Sequence, residues 1–100
     1  MPTFITTLKF TPQGVTSFQD TCRRAADLAA KAKQMRCMVT GNYWTFGDFD
    51  AVVLFEAPDD ETATALMVHL ESLGNVRTQT VRAFTAAEME KIVARMGAKP

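Results

Sequence analysis

The chain has 100 residues, 47% of them hydrophobic, and its 11 basic and 11 acidic side chains balance. That length suits a single domain over residues 1–100 with one core, and the apolar content excludes a disordered chain. No concentrated basic footprint is present for nucleic acid, and no apolar run approaches the ~20 residues that cross a bilayer.

The N-terminus lacks the charged, apolar and cleavage regions of a signal peptide, so a cytoplasmic location is expected. Cys22 and Cys37 lie outside any CxxC spacing and read as reduced thiols. Both are expected to act as small core residues.

Thr3 to Phe10, rich in β-branched and aromatic residues, reads as a strand, and Thr11-Pro12-Gln13-Gly14 breaks it. From Val15 the apolar positions Val15, Phe18, Cys22, Ala25, Ala29 and Ala32 recur at helical spacing. The spacing predicts one helix with a narrow inner face, whose Arg23, Arg24, Lys31, Lys33 and Arg36 form a solvated outer side. Cys37 to Trp44 and Phe49 to Ala57 read as a hairpin of two strands turning through Thr45-Phe46-Gly47-Asp48. Pro58-Asp59-Asp60-Glu61 opens a second helix, placing acidic groups at the positive end of its dipole. Ala63, Leu66, Leu70 and Leu73 form its inner stripe, and Gly74 stops it. Asn75 to Phe84 is a more polar strand suited to a sheet edge. Thr85 and Glu88 stand at capping-box positions of a terminal helix carrying Met89, Ile92, Val93 and Met96 on one side.

The order β-α-β-β-α-β plus a helix predicts an α+β, ferredoxin-like fold. Its four-stranded antiparallel sheet has both main helices on one face and the first and third strands at the centre. Alternation along the third strand turns Phe49, Ala51, Val53 and Phe55 toward the helices and Asp50, Val52, Leu54 and Glu56 away. Ile5, Thr7 and Lys9 of the first strand share that outer face. Ile5, Val52 and Leu54 would then make an apolar patch where a solvated sheet is normally polar, and such a patch marks an interaction surface. Two such faces packed together form a dimeric α/β barrel, so the expected partner is a second copy. The alternatives are a parity slip at a bulge, or the terminal helix folding across the patch.

Tyr43-Trp44-Thr45-Phe46-Gly47-Asp48-Phe49-Asp50-Ala51 gathers the only Trp and the only Tyr around one hairpin. Trp44 could wall a cleft and Asp50 could serve as a base or binding carboxylate. Alternatively the aromatics pack the hairpin and the carboxylates bond its backbone. His69 on the flank of the second helix is a candidate general base or haem ligand, or a solvated flank residue. Arg82 would suit an anionic substrate group, or simply protect an edge strand. No set of metal ligands occurs at usable spacing, and no cofactor is implied.

Together with Thr11-Pro12-Gln13-Gly14, Glu56-Ala57-Pro58-Asp59-Asp60 and Gly74-Asn75-Val76-Arg77-Thr78, the hairpin resembles the GYD-domain family of small bacterial proteins. The resemblance implies the dimeric α/β-barrel superfamily, whose members include small monooxygenases, isomerases and ligand-sensing modules, but no activity. Phe49 replaces the tyrosine usual in the name motif. Haem-degrading proteins of this architecture use an Asn on the first strand, which here has none. Two functions remain: an oligomeric module that binds a small molecule or partner, or a cofactor-independent monooxygenase- or isomerase-like enzyme using Asp50, Trp44, Arg82 or His69. The first is preferred because these polar groups fall into no recognisable set of roles.

Overall fold

The computed structural model describes residues 1–97. Strands β1 (Thr3–Phe10), β2 (Met38–Trp44), β3 (Ala51–Glu56) and β4 (Val76–Ala83) form one antiparallel sheet in the order β2-β3-β1-β4. Helices α2 (Thr21–Gln34) and α3 (Asp60–Ser72) supply the other core layer, and this is the ferredoxin-like arrangement expected.

Alternation decides what is buried. Phe4, Thr6 and Leu8 of β1 and Ala51, Val53 and Phe55 of β3 meet Leu28 and Ala32 of α2 and Ala63, Leu66 and Met67 of α3. Phe4 and Phe55 stack with ring centroids 5.4 Å apart. Thr6 is fully buried, and its hydroxyl lies 2.7 Å from the Thr80 hydroxyl and donates to Met67 Sδ, so no polar atom is stranded.

The helix expected from Val15 is broken. Thr11 caps a five-residue helix α1 (Pro12–Thr16), and a 3₁₀ turn over Phe18–Asp20 leads into α2. The turn separates Val15 and Phe18 from α2, whose buried residues are Leu28 and Ala32; Cys22 is exposed. The expectation of a core Cys22 is therefore corrected: at 3.6 residues per turn it lies roughly 100° around α2 from the Leu28–Ala32 face, on the flank of the helix. Phe18 keeps an edge contact with Phe10 at 5.5 Å. Cys37 is buried, and burial, with a smaller contribution from Asp59, pushes its thiol up.

Helix α2 ends in a Schellman motif: Cys37 N–H donates to Ala32 O and Arg36 N–H to Lys33 O. Arg36 holds the left-handed position, φ +63°, where a Cβ is disfavoured. Arg36→Gly should remove about 1–2 kcal/mol of strain against about 0.5–1 kcal/mol of added chain entropy. The melting temperature should rise by a few degrees, and a fall would show that the arginine side chain holds the corner. Helix α3 begins at Asp59, whose Oδ1 accepts from Thr62 N–H at 2.7 Å, and Thr62 holds that carboxylate below its ordinary range. At its end Gly74 takes φ +85°.

Helix α4 (Ala86–Ala94) carries the expected capping box between Thr85 and Glu88. It does not fold across the sheet. None of its residues is buried, and Met89, Ile92 and Val93 stay at least a third exposed. The radius of gyration is 15.6 Å and the extents 56 × 31 × 18 Å; a compact chain of this length would have a radius of about 13 Å.

Candidate functional site

The open face of the sheet follows from the strand register. Ile5 pairs with Leu54 and Val81, Thr7 with Val52 and Gln79, and Tyr43 with Val52. Ile5, Val52 and Leu54 thus share one face with Tyr43 and Val81, which are 61% and 58% exposed. No helix of the described residues lies over them. Met38, also exposed, heads a row that runs across the sheet through Glu56 and Thr3 to Ala83. Alternation in β3 identified the centre of this surface. Tyr43 was hidden because the β2 register shifts between Val39 and Gly41, where Thr40 donates to Leu54 O instead of pairing.

On the helix side a cleft of about 100 Å³ lies between α2, α3 and the sheet. Leu8, Leu28, Trp44, Val53 and Leu70 make its apolar walls, and Arg24, Asn42 and His69 also line it. Trp44 Nε1–H donates to Thr21 Oγ1 at 3.0 Å, tying the hairpin to the start of α2. Trp44 and His69, widely separated in sequence, are brought to one cavity. Leu28 and Asn42 went unrecognised, Leu28 because the Cys22–Ala25–Ala29–Ala32 spacing centres the inner face of α2 to one side of it.

Asp50 and Arg82 lie elsewhere. Asp50 Oδ2 accepts the Phe10 N–H at 2.8 Å, while its own N–H donates to Leu8 O. It closes the end of β1, and the hairpin is fastened by Thr45 N–H to Asp50 O and by the Thr45 hydroxyl to Phe49 O. Arg82 stands beside Phe4 at the other end of β1, over the rings of Phe4 and Phe84 at 5.6 and 4.5 Å. It donates to Thr3 O and Ala83 O and pairs with Glu88 at 3.8 Å. Six residues of strand separate the two sites, about 20 Å, so they do not converge on one small molecule. Arg77 is the β4 arginine that shares the open face, opposite Lys9. Asp50→Ala should cost about 1–3 kcal/mol by leaving the Phe10 N–H unpaired, with Asp50→Asn in between because an amide oxygen can still accept. Thermal melts of both variants check this, and unchanged melting would show that water replaces the carboxylate.

The Thr11–Gly14 turn is clasped to Gly74-Asn75. Thr11 N–H donates to Asn75 O, the Thr11 hydroxyl donates to Gly74 O at 2.6 Å, and Gln13 Nε2 donates to Leu73 O and Asn75 Oδ1. The hairpin tip, by contrast, projects Phe46 fully into solvent. Among the described residues no three His, Cys, Asp or Glu side chains gather as a metal ion would need, and no helix is long and apolar enough to cross a membrane.

Comparison with known proteins adds three findings. The family model of the GYD domain matches residues 4–93. The glutamine synthetase and cystathionine beta-lyase binding protein of Thermus thermophilus is 30% identical over 90 residues, covering 89% of this chain and 95% of that protein. The crystal structure of TTHA0845, also from Thermus thermophilus, superposes with a TM-score of 0.56 at 24% identity, over 86% of this chain and 96% of that one. With motifs, fold and family model in agreement, the chain belongs to the GYD-domain family.

Proposed function

We propose that the protein is a non-catalytic binding module that pairs with a second copy through the open face of its sheet and, as a pair, holds a protein partner. The observation carrying this reading is the apolar patch of Ile5, Leu54 and Val81 in one row and Val52 and Tyr43 in the next, which the chain's own helices leave uncovered. A contiguous apolar surface on an antiparallel sheet is costly in water unless something covers it. Support for a protein partner comes from the relative named for binding glutamine synthetase and cystathionine beta-lyase. Phe46 offers such a partner a large apolar side chain that the fold does not use, the kind of anchor that concentrates binding energy at interfaces.

The test is titration of the purified chain against purified glutamine synthetase and cystathionine beta-lyase, read by calorimetry. Saturable binding to at least one is expected, weakened tenfold or more by Phe46→Ser, with melting unchanged. No binding to either enzyme would remove the support that the relative's name provides.

A second reading, binding of a small organic molecule, is favoured by one observation. The cleft holding Trp44 and His69 is walled mainly by apolar side chains, with Arg24 and Asn42 to orient a polar group. An enzyme of the cofactor-independent monooxygenase or isomerase kind would use the same cleft. Asp50 and Arg82 do not line it, so the acid–base candidates there are His69 and Asp27.

A further inference from the structure

Helix α4 has nine residues, below the roughly 12–15 at which an isolated helix holds in water. Its capping box secures only the first turn. The remaining stabilisation of such a helix normally comes from packing its apolar side, yet Met89, Ile92 and Val93 meet none of their own core. The helix leaves from the end of β4, an edge strand, at Ala83.

The size of the open face points to what covers α4. Four strands about 4.8 Å apart and about seven residues long give a flat footprint near 450 Å². A stable interface buries about 800 Å² per partner. A nine-residue helix lying on a surface adds a strip of about 14 × 10 Å, and two-fold symmetry makes each copy both donate one strip and receive one. The footprint then rises to about 730 Å², close to what a stable pair requires.

Register gives the place. A two-fold axis along the strands reverses the order β2-β3-β1-β4, so β4 of one copy lies over β2 of the other. Met38, Glu56, Thr3 and Ala83 form one row across the sheet. In a pair with that axis, the point where α4 departs would fall beside the exposed Met38 of the other copy.

We propose that α4 is an exchanged arm, each copy laying Met89, Ile92 and Val93 against the start of β2 around Met38 in the second copy. This rests on the pairing proposed above, and the experiment separates the two. A spin label is placed at Ile92→Cys in the full chain carrying Cys22→Ser, an exposed position; burial shields Cys37 from the label. The labelled chain is mixed with an isotope-enriched, unlabelled chain, and sedimentation is run on the mixture and on the double variant Ile92→Glu, Val93→Glu. Broadening of the Met38 and Val39 amides in the enriched copy, with a dimer weakened at least tenfold by the double variant, is the expected result. A dimer without such broadening, and unmoved by the double variant, overturns the arm and leaves the pairing standing. A wild type that stays monomeric at tens of micromolar overturns both.

Discussion

Gly14→Ala is expected to be among the most damaging single substitutions in the chain. A Cβ at Gly14 would sit 2.1 Å from Asn75 O and 3.0 Å from Asn75 C, and both are backbone atoms. No rotamer change relieves such an overlap. The Thr11–Gly14 turn would have to move off Asn75, giving up the bonds from Thr11 and Gln13 to Leu73, Gly74 and Asn75. Overpacking costs about 1–3 kcal/mol, occasionally more, and here lost hydrogen bonds add about 1 kcal/mol each. A loss of about 3 kcal/mol or more is therefore expected, against a total stability of about 5–15 kcal/mol. At about 4–8 °C per kcal/mol, thermal melting should drop by well over 10 °C. Gln13→Ala, which removes only exposed bonds, should cost much less. If Gly14→Ala melts within a few degrees of the wild type, the clasp yields freely and contributes little.

Val52→Asp and Leu54→Asp should each separate the paired copies. Both side chains lie on the open face, at the centre of the surface proposed to pair. A carboxylate there has no cation in its own row: Val52 is flanked by Thr7 and Tyr43, and Leu54 by Ile5 and Gly41. Burying a charge without a partner costs about 3–5 kcal/mol, and two-fold symmetry places two such charges in one interface. Since about 1.4 kcal/mol is a factor of ten in affinity, association should weaken by at least a hundredfold. Lys9→Ala, at the exposed rim, should change little. Sedimentation of the three variants beside the wild type decides the matter. Variants that associate like the wild type would move the contact surface away from the sheet.

The elements most legible in the sequence were those whose signals are local. The bounds of β1, the Asp59 start and Gly74 end of α3, and the Thr85–Glu88 box are set by residues within one turn of where they act. The break after α1 was not legible, because Val15 and Phe18 continue an apolar spacing that the 3₁₀ turn interrupts. Trp44 and His69 could be named as candidates, but nothing in their spacing said that one cleft would join them. Asp50 shows the reverse. Its backbone role depends on Phe10, forty residues away, so a residue weighed equally as catalyst or anchor is found accepting a main-chain hydrogen bond.

The clasp between Thr11–Gly14 and Gly74-Asn75 bears on what likeness within this family can convey. Two of the strings by which the chain resembles other GYD proteins are the two halves of that clasp. The hairpin string supplies Asp50 and Thr45, which fasten main chain, and the Glu56–Asp60 string supplies the Asp59 cap. These strings act chiefly as fasteners of the frame. A protein that shares them is thereby shown to close its chain in the same way, and little is implied about what it grips. The choice of partner would instead be written where the fasteners are absent, in Phe46, the open sheet face and α4. Two members could thus look closely alike in the shared strings and still serve different enzymes.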